Sequence, residues 1–472
     1  MIQDRAYQVE AEQEIIQKYK DGVRSLVLVI GCGGGKTNVT CSIIEKALKK
    51  KKRVMFIAHR RELISNCQDR LTQYGIKADV ILGGKKRNVA NPVQIASIQS
   101  LVRQDLPEAS IVFVDECHTA LSTSYIDVLN RYKASGSLIV GLTATPFRTD
   151  KRVLGEVFDD YVLPITNEEL VSRGFVLPTK VYGAGNISSK NFKIKLGEFD
   201  KCDLQKAFDV NNVYTNLIEN YKRLAGGLST IVFCNSVEHS IKTAQCFNDN
   251  GYKAVHIDGE TPKEERDEAI RQYASGEILV LCNYGLLAEG FDVPKTRCVI
   301  MNCATTSLIK WIQASGRAQR LFEDKEFGII IDMADNYMRF GSPEDNVEIN
   351  LFEARKKKEG VAPVSLCGNC YLVFSPRLDC CPDCGWQKPK AVLRPIEEMV
   401  FVELTKAKQK IKEKEEKDAA ILANIEEFKD IWATYTRNDW NRVHPNLISS
   451  FAKFKGYKAG WVYNQRVERK LI

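Results

Sequence analysis

The sequence predicts an α/β protein with two tandem parallel-sheet domains and a small C-terminal module that contains a cysteine cluster. Three observations support this prediction. Short apolar runs alternate with stretches of helical length twice along the chain, a glycine-rich GKT segment follows the first such run, and several cysteines lie close together near residue 370. Strands separated by helical lengths are typical of parallel sheets covered by helices.

The first alternating unit is predicted to span residues 1–165 and the second residues 222–345, with a connector over 166–221. The strand-like runs of the first unit are SLVLVI, RVMFIA, VQIASI, SIVFV and SLIVGL, and those of the second are STIVFCN, YKAVHID, EILVLCN, RCVIMNC and FGIIIDM. Only the first unit contains a GKT, so a nucleotide is expected to bind in the cleft between the two units. A cysteine module over 361–395 and a helical basic region over 400–472 are expected to follow.

Composition narrows the class of protein. A chain of 472 residues with 44% hydrophobic residues favours two or three globular domains. The sequence has no apolar run long enough to cross a membrane, and the N-terminus lacks the pattern of a signal peptide, so we expect a cytoplasmic location in a bacterial or phage-infected cell. Residues 351–472 hold 23 Lys or Arg against 16 Asp or Glu, which places most of the net charge of +8 there. Such a basic tail fits a polyanionic partner.

The segment GCGGGKT at residues 31–37 predicts a phosphate-binding loop. It lies between a predicted strand and a predicted helix over 38–50, so the backbone N–H groups of Gly33, Gly34 and Gly35 can contact the phosphates of ATP. Lys36 can reach the β- and γ-phosphates, and the Thr37 hydroxyl can bind Mg²⁺. A glycine-rich turn by itself is often only a loop, but the strand before it and the helix after it favour the nucleotide site.

The segment DECH at residues 115–118 supplies the acidic half of the same predicted site. It follows the apolar run IVFV, so its side chains lie where a buried strand ends. Asp115 is expected to hold the same Mg²⁺ as Thr37, and Glu116 is the candidate base that orients water for attack on the γ-phosphate. A phosphate loop and a strand-borne acidic pair in one chain predict an ATP-hydrolysing motor.

Further segments occur in the order typical of superfamily 2 helicases and translocases, and residues 1–340 resemble that family. They are RAYQ (5–8), IAHRRELI (57–64), IASIQSL (95–101), GLTATP (141–146), GLLAEGFDVP (285–294) and QASGRAQR (313–320). The resemblance implies two RecA-like domains that bind ATP between them. Where many members have Ala and Thr in the phosphate loop, this chain has Ile30 and Cys32, and neither change removes a phosphate donor. Gln319 stands where many members have Gly, which weakens the resemblance to the classical RNA-remodelling subgroup and leaves the ATPase intact.

The resemblance also implies roles for individual residues. It assigns ATP contacts to Arg5, Gln8, Gly290 and Asp292, and coupling of ATP to movement to His118, Thr143, Thr145 and Gln313. It assigns nucleic-acid contacts to His59, Arg60, Ser97, Gln99 and Asn283. Arg317 and Arg320 are one helical turn apart on the second domain, and an arginine delivered to the γ-phosphate from the opposite domain raises hydrolysis by about 10³–10⁵.

Two CxxC pairs, CGNC at 367–370 and CPDC at 381–384, predict a structural zinc ribbon. Four thiolates at this spacing can surround Zn²⁺ tetrahedrally, and we expect the ligands to be Cys367, Cys370, Cys381 and Cys384. Cys380 breaks the spacing and is expected to be outside the site. The nearby aromatic and basic residues either stack on bases or form the ribbon's small core; the sequence favours neither.

The combination of motor core, zinc module and basic C-terminus resembles the RadD-like DNA-repair ATPases. That resemblance implies an ATP-dependent helicase or translocase that acts on DNA repair, recombination or replication intermediates, with single-stranded or branched DNA and a single-strand DNA-binding protein as partners. Two alternatives remain open from the sequence: an RNA helicase or remodeller, and an ATP-switched nucleic-acid clamp that does not unwind.

Overall fold

The computed structural model describes residues 4–83, 90–103, 105–148, 150, 152–183, 187–189, 192–195, 197–208, 211–286, 293–353 and 364–388. The described residues belong to one compact unit that ends at Lys388. The predicted helical basic region, 400–472, lies outside the described residues. Within the described ranges, no helix is long and apolar enough to cross a membrane.

The helices and strands follow the predicted alternation. The helices are α1 (Ala6–Lys20), α2 (Lys36–Lys49), α3 (Arg61–Gln73), α4 (Ile98–Leu101), α5 (Thr123–Ala134), α6 (Asn167–Ser172), α7 (Lys201–Phe208), α8 (Asn211–Ala225), α9 (Val237–Asp249), α10 (Lys263–Ser275), α11 (Leu308–Ser315) and α12 (Asn336–Phe340). The strands are β1 (Ser25–Val29), β2 (Val54–Ala58), β3 (Asp79–Ile81), β4 (Val93–Ser97), β5 (Ile111–Asp115), β6 (Leu138–Thr143), β7 (Asp160–Val162), β8 (Thr179–Tyr182), β9 (Ile194–Lys195), β10 (Glu198–Phe199), β11 (Thr230–Cys234), β12 (Ala254–Ile257), β13 (Val280–Asn283), β14 (Cys298–Asn302), β15 (Gly328–Asp332), β16 (Ser365–Leu366) and β17 (Val373–Phe374).

The first domain is a parallel sheet with apolar cores on both faces. Its strands lie in the order β3-β4-β2-β5-β6-β1-β7. All five residues of β1 are buried, because successive side chains point to opposite faces and each face is covered. Leu26 and Leu28 join the core on one face, whereas Val27 and Val29 join the core on the other. This two-sided burial explains the continuous apolar run SLVLVI.

The second domain repeats this arrangement with the strand order β12-β13-β11-β14-β15-β8, again parallel. The two-domain fold class predicted from the sequence is confirmed. The edge strand β8 lies within the predicted connector, and Ile330 of β15 pairs with Val181 of β8. Part of the connector therefore completes the second sheet. The polar run TKVY gave no strand signal, because an edge strand is apolar only where it contacts the core.

After the second sheet, a return segment, residues 344–352, runs back along the first domain. The backbone N–H of Gly155 donates to the carbonyl of Leu351 at 2.6 Å, and the Leu351 side chain is buried in the first domain's core. Asn167 donates through Nδ2 to the carbonyl of Asp345 at 3.3 Å. The segment starts beside β8, where the Thr179 hydroxyl donates to Glu344 at 2.5 Å, and it therefore gives the two domains a second connection.

The predicted site residues converge because of strand order. β5, β6 and β1 are neighbours in the first sheet, and the carboxyl ends of parallel strands meet at one edge. The phosphate loop follows β1, Asp115 ends β5, and Thr143 ends β6. Segments that are far apart in sequence therefore lie at adjacent positions along that edge.

Candidate ATP site and zinc centre

The phosphate loop is a tight turn between β1 and α2. Gly33 and Gly35 have φ of 80° and 85°, a backbone conformation that glycine adopts without strain. Gly34 donates its backbone N–H to the Gly31 carbonyl at 3.1 Å, which closes the turn. Lys36 and Thr37 open α2, and the Lys36 Nζ donates to the Ile30 carbonyl at 3.0 Å. The loop N–H groups at the start of α2 form the kind of anion site that phosphates occupy.

The N-terminal segment packs directly on this loop. The Tyr7 hydroxyl donates to the Gly34 carbonyl at 2.5 Å, and the Gln8 amide donates to the same carbonyl at 3.3 Å. The Arg5 guanidinium lies over the ring of Phe175, 4.6 Å from its centroid. Gln8 thus contacts the phosphate loop directly, whereas Arg5 is linked to the loop through Tyr7, to whose hydroxyl it donates at 3.2 Å. Tyr7 and Phe175 were missed; RAYQ could have indicated Tyr7, but no sequence signal marked Phe175.

Asp115 and Glu116 form a buried carboxylate pair at the end of β5. Burial, followed by the charge of Glu116, raises the pKa of Asp115 to about 7. Burial opposes ionisation of Glu116, but the hydrogen bond from His118 and nearby positive charges lower its pKa to about 2. Glu116 has φ of 46°, an uncommon value for a residue with a side chain and one typical of functional sites. The two carboxylates supply oxygen donors of the kind that Mg²⁺ prefers, and the Lys36 ammonium lies close enough for its charge to act on both.

Three of the residues that the sequence predicts to couple ATP to movement form a connected path from the acidic pair to the end of β6. His118 Nδ1 lies 3.3 Å from Glu116 Oε2 and 3.2 Å from Thr143 Oγ1. The backbone N–H of Thr145 donates to Thr143 Oγ1 at 3.0 Å. Arg148, which the sequence did not single out, donates to the His118 carbonyl at 2.5 Å and so fixes the same path. All three predicted residues in this path are buried.

The second domain brings its arginines to the first domain's site. Arg320 Nη1 lies 3.6 Å from the point where a Cβ on Gly33 would stand. The charge of Arg317 contributes to the lowered pKa of Glu116, so Arg317 also lies near the acidic pair. Gln313, on α11, is 3% exposed, whereas Arg317 and Arg320 lie in the turn that follows the end of α11 at Ser315 and not on a helix. A Cβ on Gly316 would lie 2.6 Å from the Cys32 Cβ, so only glycine allows this approach of the two domains.

The predicted nucleic-acid contacts divide into two groups. Arg60 Nη1 donates to the Gly285 carbonyl at 3.3 Å, and Gln99 donates to the His59 carbonyl at 3.5 Å, so these side chains lie at an exposed edge between the domains. Ser97 instead caps α4 by accepting from the Ser100 N–H. Asn283 is fully buried and donates to the Val232 carbonyl at 2.9 Å. The burial of Ser97 and Asn283 argues for an internal role, because their side chains are used to hold strand ends. Gly290 and Asp292 lie outside the described residues.

The two CxxC pairs bring four thiols together. The sulfur atoms of Cys367, Cys370, Cys381 and Cys384 all lie within 4.8 Å of one another. The Cys367–Cys384 and Cys370–Cys381 sulfurs are 3.5 and 3.6 Å apart. A zinc tetrahedron with Zn–S bonds of about 2.3 Å has sulfur–sulfur edges of about 3.8 Å, so the donor set fits Zn²⁺. Cys380 is exposed and stands outside this group.

The surroundings of the thiols support the same interpretation. The N–H groups of Asn369 and Cys370 donate to Cys367 Sγ at 3.3 and 3.4 Å, which stabilises a thiolate rather than a thiol. Phe374 is buried, and Trp386 packs against the same core. These two aromatic side chains therefore belong to the ribbon's core. Tyr371 is exposed, with Arg223 4.9 Å from its ring centroid.

Comparison with known proteins gives the chain its family. Residues 1–148 match the family model described as Type III restriction enzyme, res subunit, and residues 212–322 match the helicase conserved C-terminal domain. A Lactococcus phage protein, the 51.5 kDa protein, is 28% identical over 390 residues, which cover 80% of this chain and 82% of that protein. The putative ATP-dependent helicase IRC3 of Saccharomyces cerevisiae is 26% identical over 350 residues, which cover 70% of this chain and 51% of IRC3. The chain thus spans about half the length of that relative.

A solved structure shares the fold. The ATP-dependent Type ISP restriction-modification enzyme LlaBIII bound to DNA superposes with a TM-score of 0.54 at 15% identity, covering 73% of this chain and 29% of LlaBIII. At that identity the likeness concerns the fold alone. The two family matches together cover more than half of the chain, and they fall on the two parallel-sheet domains whose facing edges carry the site. The chain therefore belongs to helicase superfamily 2, a superfamily of nucleic-acid-dependent ATPases.

Proposed function

We propose that this ATPase converts ATP hydrolysis into movement along, or remodelling of, DNA. The observation that carries the proposal is the position of Arg320 of the second domain beside Gly33 of the first. A guanidinium at the phosphate loop stabilises the charge that develops on the γ-phosphate in the transition state. Because that charge comes from the opposite domain, hydrolysis requires closure, and product release allows opening.

In this proposal each chemical role falls on a residue of the described site. Lys36 contacts the β- and γ-phosphates, Thr37 and Asp115 hold Mg²⁺, and Glu116 orients the attacking water. The bound Mg²⁺ supplies positive charge to the phosphates. The path from His118 to Thr143 and Thr145 transmits the state of the γ-phosphate to the domain interface.

Two cross-domain contacts lie where closure is expected to act. Glu62 of α3 pairs with Arg266 of α10 at 3.1 Å, and Arg60 donates to the Gly285 carbonyl. We propose that nucleic acid crosses this edge near His59, Arg60 and Gln99. Contacts that form and break across such an edge are how a two-domain motor advances along a strand.

Two observations favour DNA over RNA as the substrate. The first domain matches a restriction-enzyme family, and the similar structure of LlaBIII is that of an enzyme bound to DNA. The resemblance to RadD-like ATPases extends this proposal to repair, recombination or replication intermediates in a cytoplasmic setting. A single-strand DNA-binding protein is the proposed protein partner.

The zinc site has a structural role in this proposal. All four metal positions are filled by cysteine, so none remains for water or substrate. Asp383, between two of the cysteines, forms a salt bridge with Lys180 of β8, and the Gly183 N–H donates to the Tyr371 carbonyl. The ribbon is thereby attached to the edge of the second sheet.

The experiment that tests the proposal is a steady-state ATPase assay on the full chain with matched single-stranded, forked and four-way DNA and RNA. We expect stimulation by DNA that falls steeply with salt, because binding to phosphates releases counterions. Stronger stimulation by RNA would favour the RNA remodeller. Displacement of a triplex-forming strand should require hydrolysis; displacement that needs ATP binding alone would favour the clamp.

A further inference from the structure

Lys325 is a buried lysine that the catalytic roles above do not use. It is 6% exposed and lies in the loop that follows Arg320 and precedes β15. Its Nζ donates to the Thr296 carbonyl at 2.6 Å and to the Arg320 carbonyl at 3.0 Å. Among the described residues, these hydrogen-bond acceptors are backbone carbonyls and no carboxylate neutralises the amine.

Burying an ammonium group without a carboxylate partner costs free energy, so such a residue needs an explanation. Burial, followed by the nearby charges of Arg297 and Arg320, lowers the pKa of Lys325 to about 7. A methionine of similar length would fill the same space without that cost. The retained amine is explained if its two hydrogen bonds are needed for something other than stability.

The two hydrogen bonds tie the Arg320 backbone to the second sheet. Thr296 lies two residues before β14, so Lys325 links that position to Arg320, the residue that carries the guanidinium. Arg297 adds to the clamp by donating to the Asp324 and Glu323 carbonyls at 2.8 and 3.2 Å. On the other side, the Leu177 N–H donates to the Gln319 carbonyl at 2.9 Å. The backbone on either side of the Arg320 amide is thereby held.

We propose that Lys325 is a positioning residue that fixes the Arg320 backbone so that its guanidinium reaches the phosphate loop. The inference rests on the proposed role of Arg320 in hydrolysis. A displacement of about 1 Å at such a group is enough to lower the rate about 100-fold. Lys325 itself touches neither ATP nor the reacting atoms.

The test compares Lys325→Met with Arg320→Ala and with the double variant, using kcat for DNA-stimulated hydrolysis and the dissociation constant of a fluorescent ATP analogue. We expect Lys325→Met to lower kcat at least about 10-fold while nucleotide affinity changes less than about 3-fold, since a transition-state interaction is lost. In the Arg320→Ala background the same change should have no further effect, because residues that act through one group are not additive.

Lys295→Met is the matched control. Its Nζ also donates to two backbone carbonyls, those of Ala274 and Ser275, but at the end of α10. It should leave kcat unchanged. Two results would overturn the inference and indicate a purely structural lysine. One is a double variant whose loss of kcat equals the product of the two single-variant losses. The other is a Lys325→Met variant in which nucleotide affinity and melting temperature fall together with kcat.

The two levels of proposal can be told apart in the same experiment. Wild-type turnover in Arg320→Ala would refute the proposed role of Arg320 itself. Loss of turnover in Arg320→Ala with wild-type turnover in Lys325→Met would refute only the positioning role of Lys325.

Discussion

His118 Nδ1 and Thr143 Oγ1 lie 3.2 Å apart, and this contact joins the end of β5 to the end of β6. The two residues come from segments separated by α5, yet both are buried at the edge where ATP is proposed to bind. Because the same Nδ1 lies 3.3 Å from Glu116 Oε2, the contact is a direct route from the proposed catalytic base to the end of β6.

Lys36→Ala should lower ATP hydrolysis by at least about 100-fold, because the ammonium that contacts the β- and γ-phosphates is removed. Phosphate release in the presence of DNA is the measurement. Lys49→Ala, at the exposed end of the same helix, is the control and should hydrolyse normally. Wild-type turnover in Lys36→Ala would rule out the phosphate loop as the ATP site.

Glu116→Gln should bind ATP and lose turnover by about 10²–10⁴-fold, the range typical of removing a general base. The amide keeps the shape of the side chain, so the closed state on DNA should accumulate. Nucleotide binding and single-turnover hydrolysis measure the two properties separately. An exposed carboxylate changed in the same way, Glu264→Gln, should behave as wild type. Normal hydrolysis in Glu116→Gln would mean that another group orients the water.

Arg320→Ala should lower kcat by about 10³-fold or more and change ATP affinity little, since the guanidinium acts mainly in the transition state. Arg317→Ala and the double variant apportion the effect between the two arginines. Arg271→Ala, on the surface of α10, is the control for lost positive charge. A collapse of ATP affinity with unchanged turnover per bound ATP would make Arg320 a binding residue.

Thr143→Val should lower strand displacement per ATP hydrolysed by about tenfold, because leaving His118 and the Thr145 N–H without their shared partner costs about 1–3 kcal/mol. Hydrolysis itself should fall less. The measurement is triplex displacement divided by phosphate release. Thr72→Val, an exposed threonine on α3, should change neither. If both activities fell equally, Thr143 would belong to the hydrolytic site and not to coupling.

Purified protein should contain close to one zinc per chain, and Cys367→Ser should release it. Cys367 shares a core with Tyr182 and Leu217 of the second domain, so metal loss should also lower that domain's melting temperature. Cys380→Ser should retain the metal, because its thiol is exposed and outside the cluster. Metal analysis without zinc, or equal loss from both variants, would contradict the assignment.

The sequence by itself determined the two parallel-sheet domains. Strands that are buried on both faces must be continuously apolar, so each strand shows as an apolar run. GKT and DECH each follow such a run, which places both segments at strand ends. The CxxC spacing likewise determined which four of the five clustered cysteines come together. Strand burial and metal-ligand spacing both depend on residues close together in the sequence, so these features could be predicted without coordinates.

Only the tertiary structure decided which residues act across the chain. Strand order placed β5, β6 and β1 side by side, and the approach of the two domains brought Arg320 to Gly33. The polar strand β8, the ring of Phe175 beneath Arg5 and the buried amine of Lys325 had no local signal. Ser97 and Asn283 lie in motif-like segments but are buried. Burial and long-range contact depend on packing between distant segments, which local patterns do not encode.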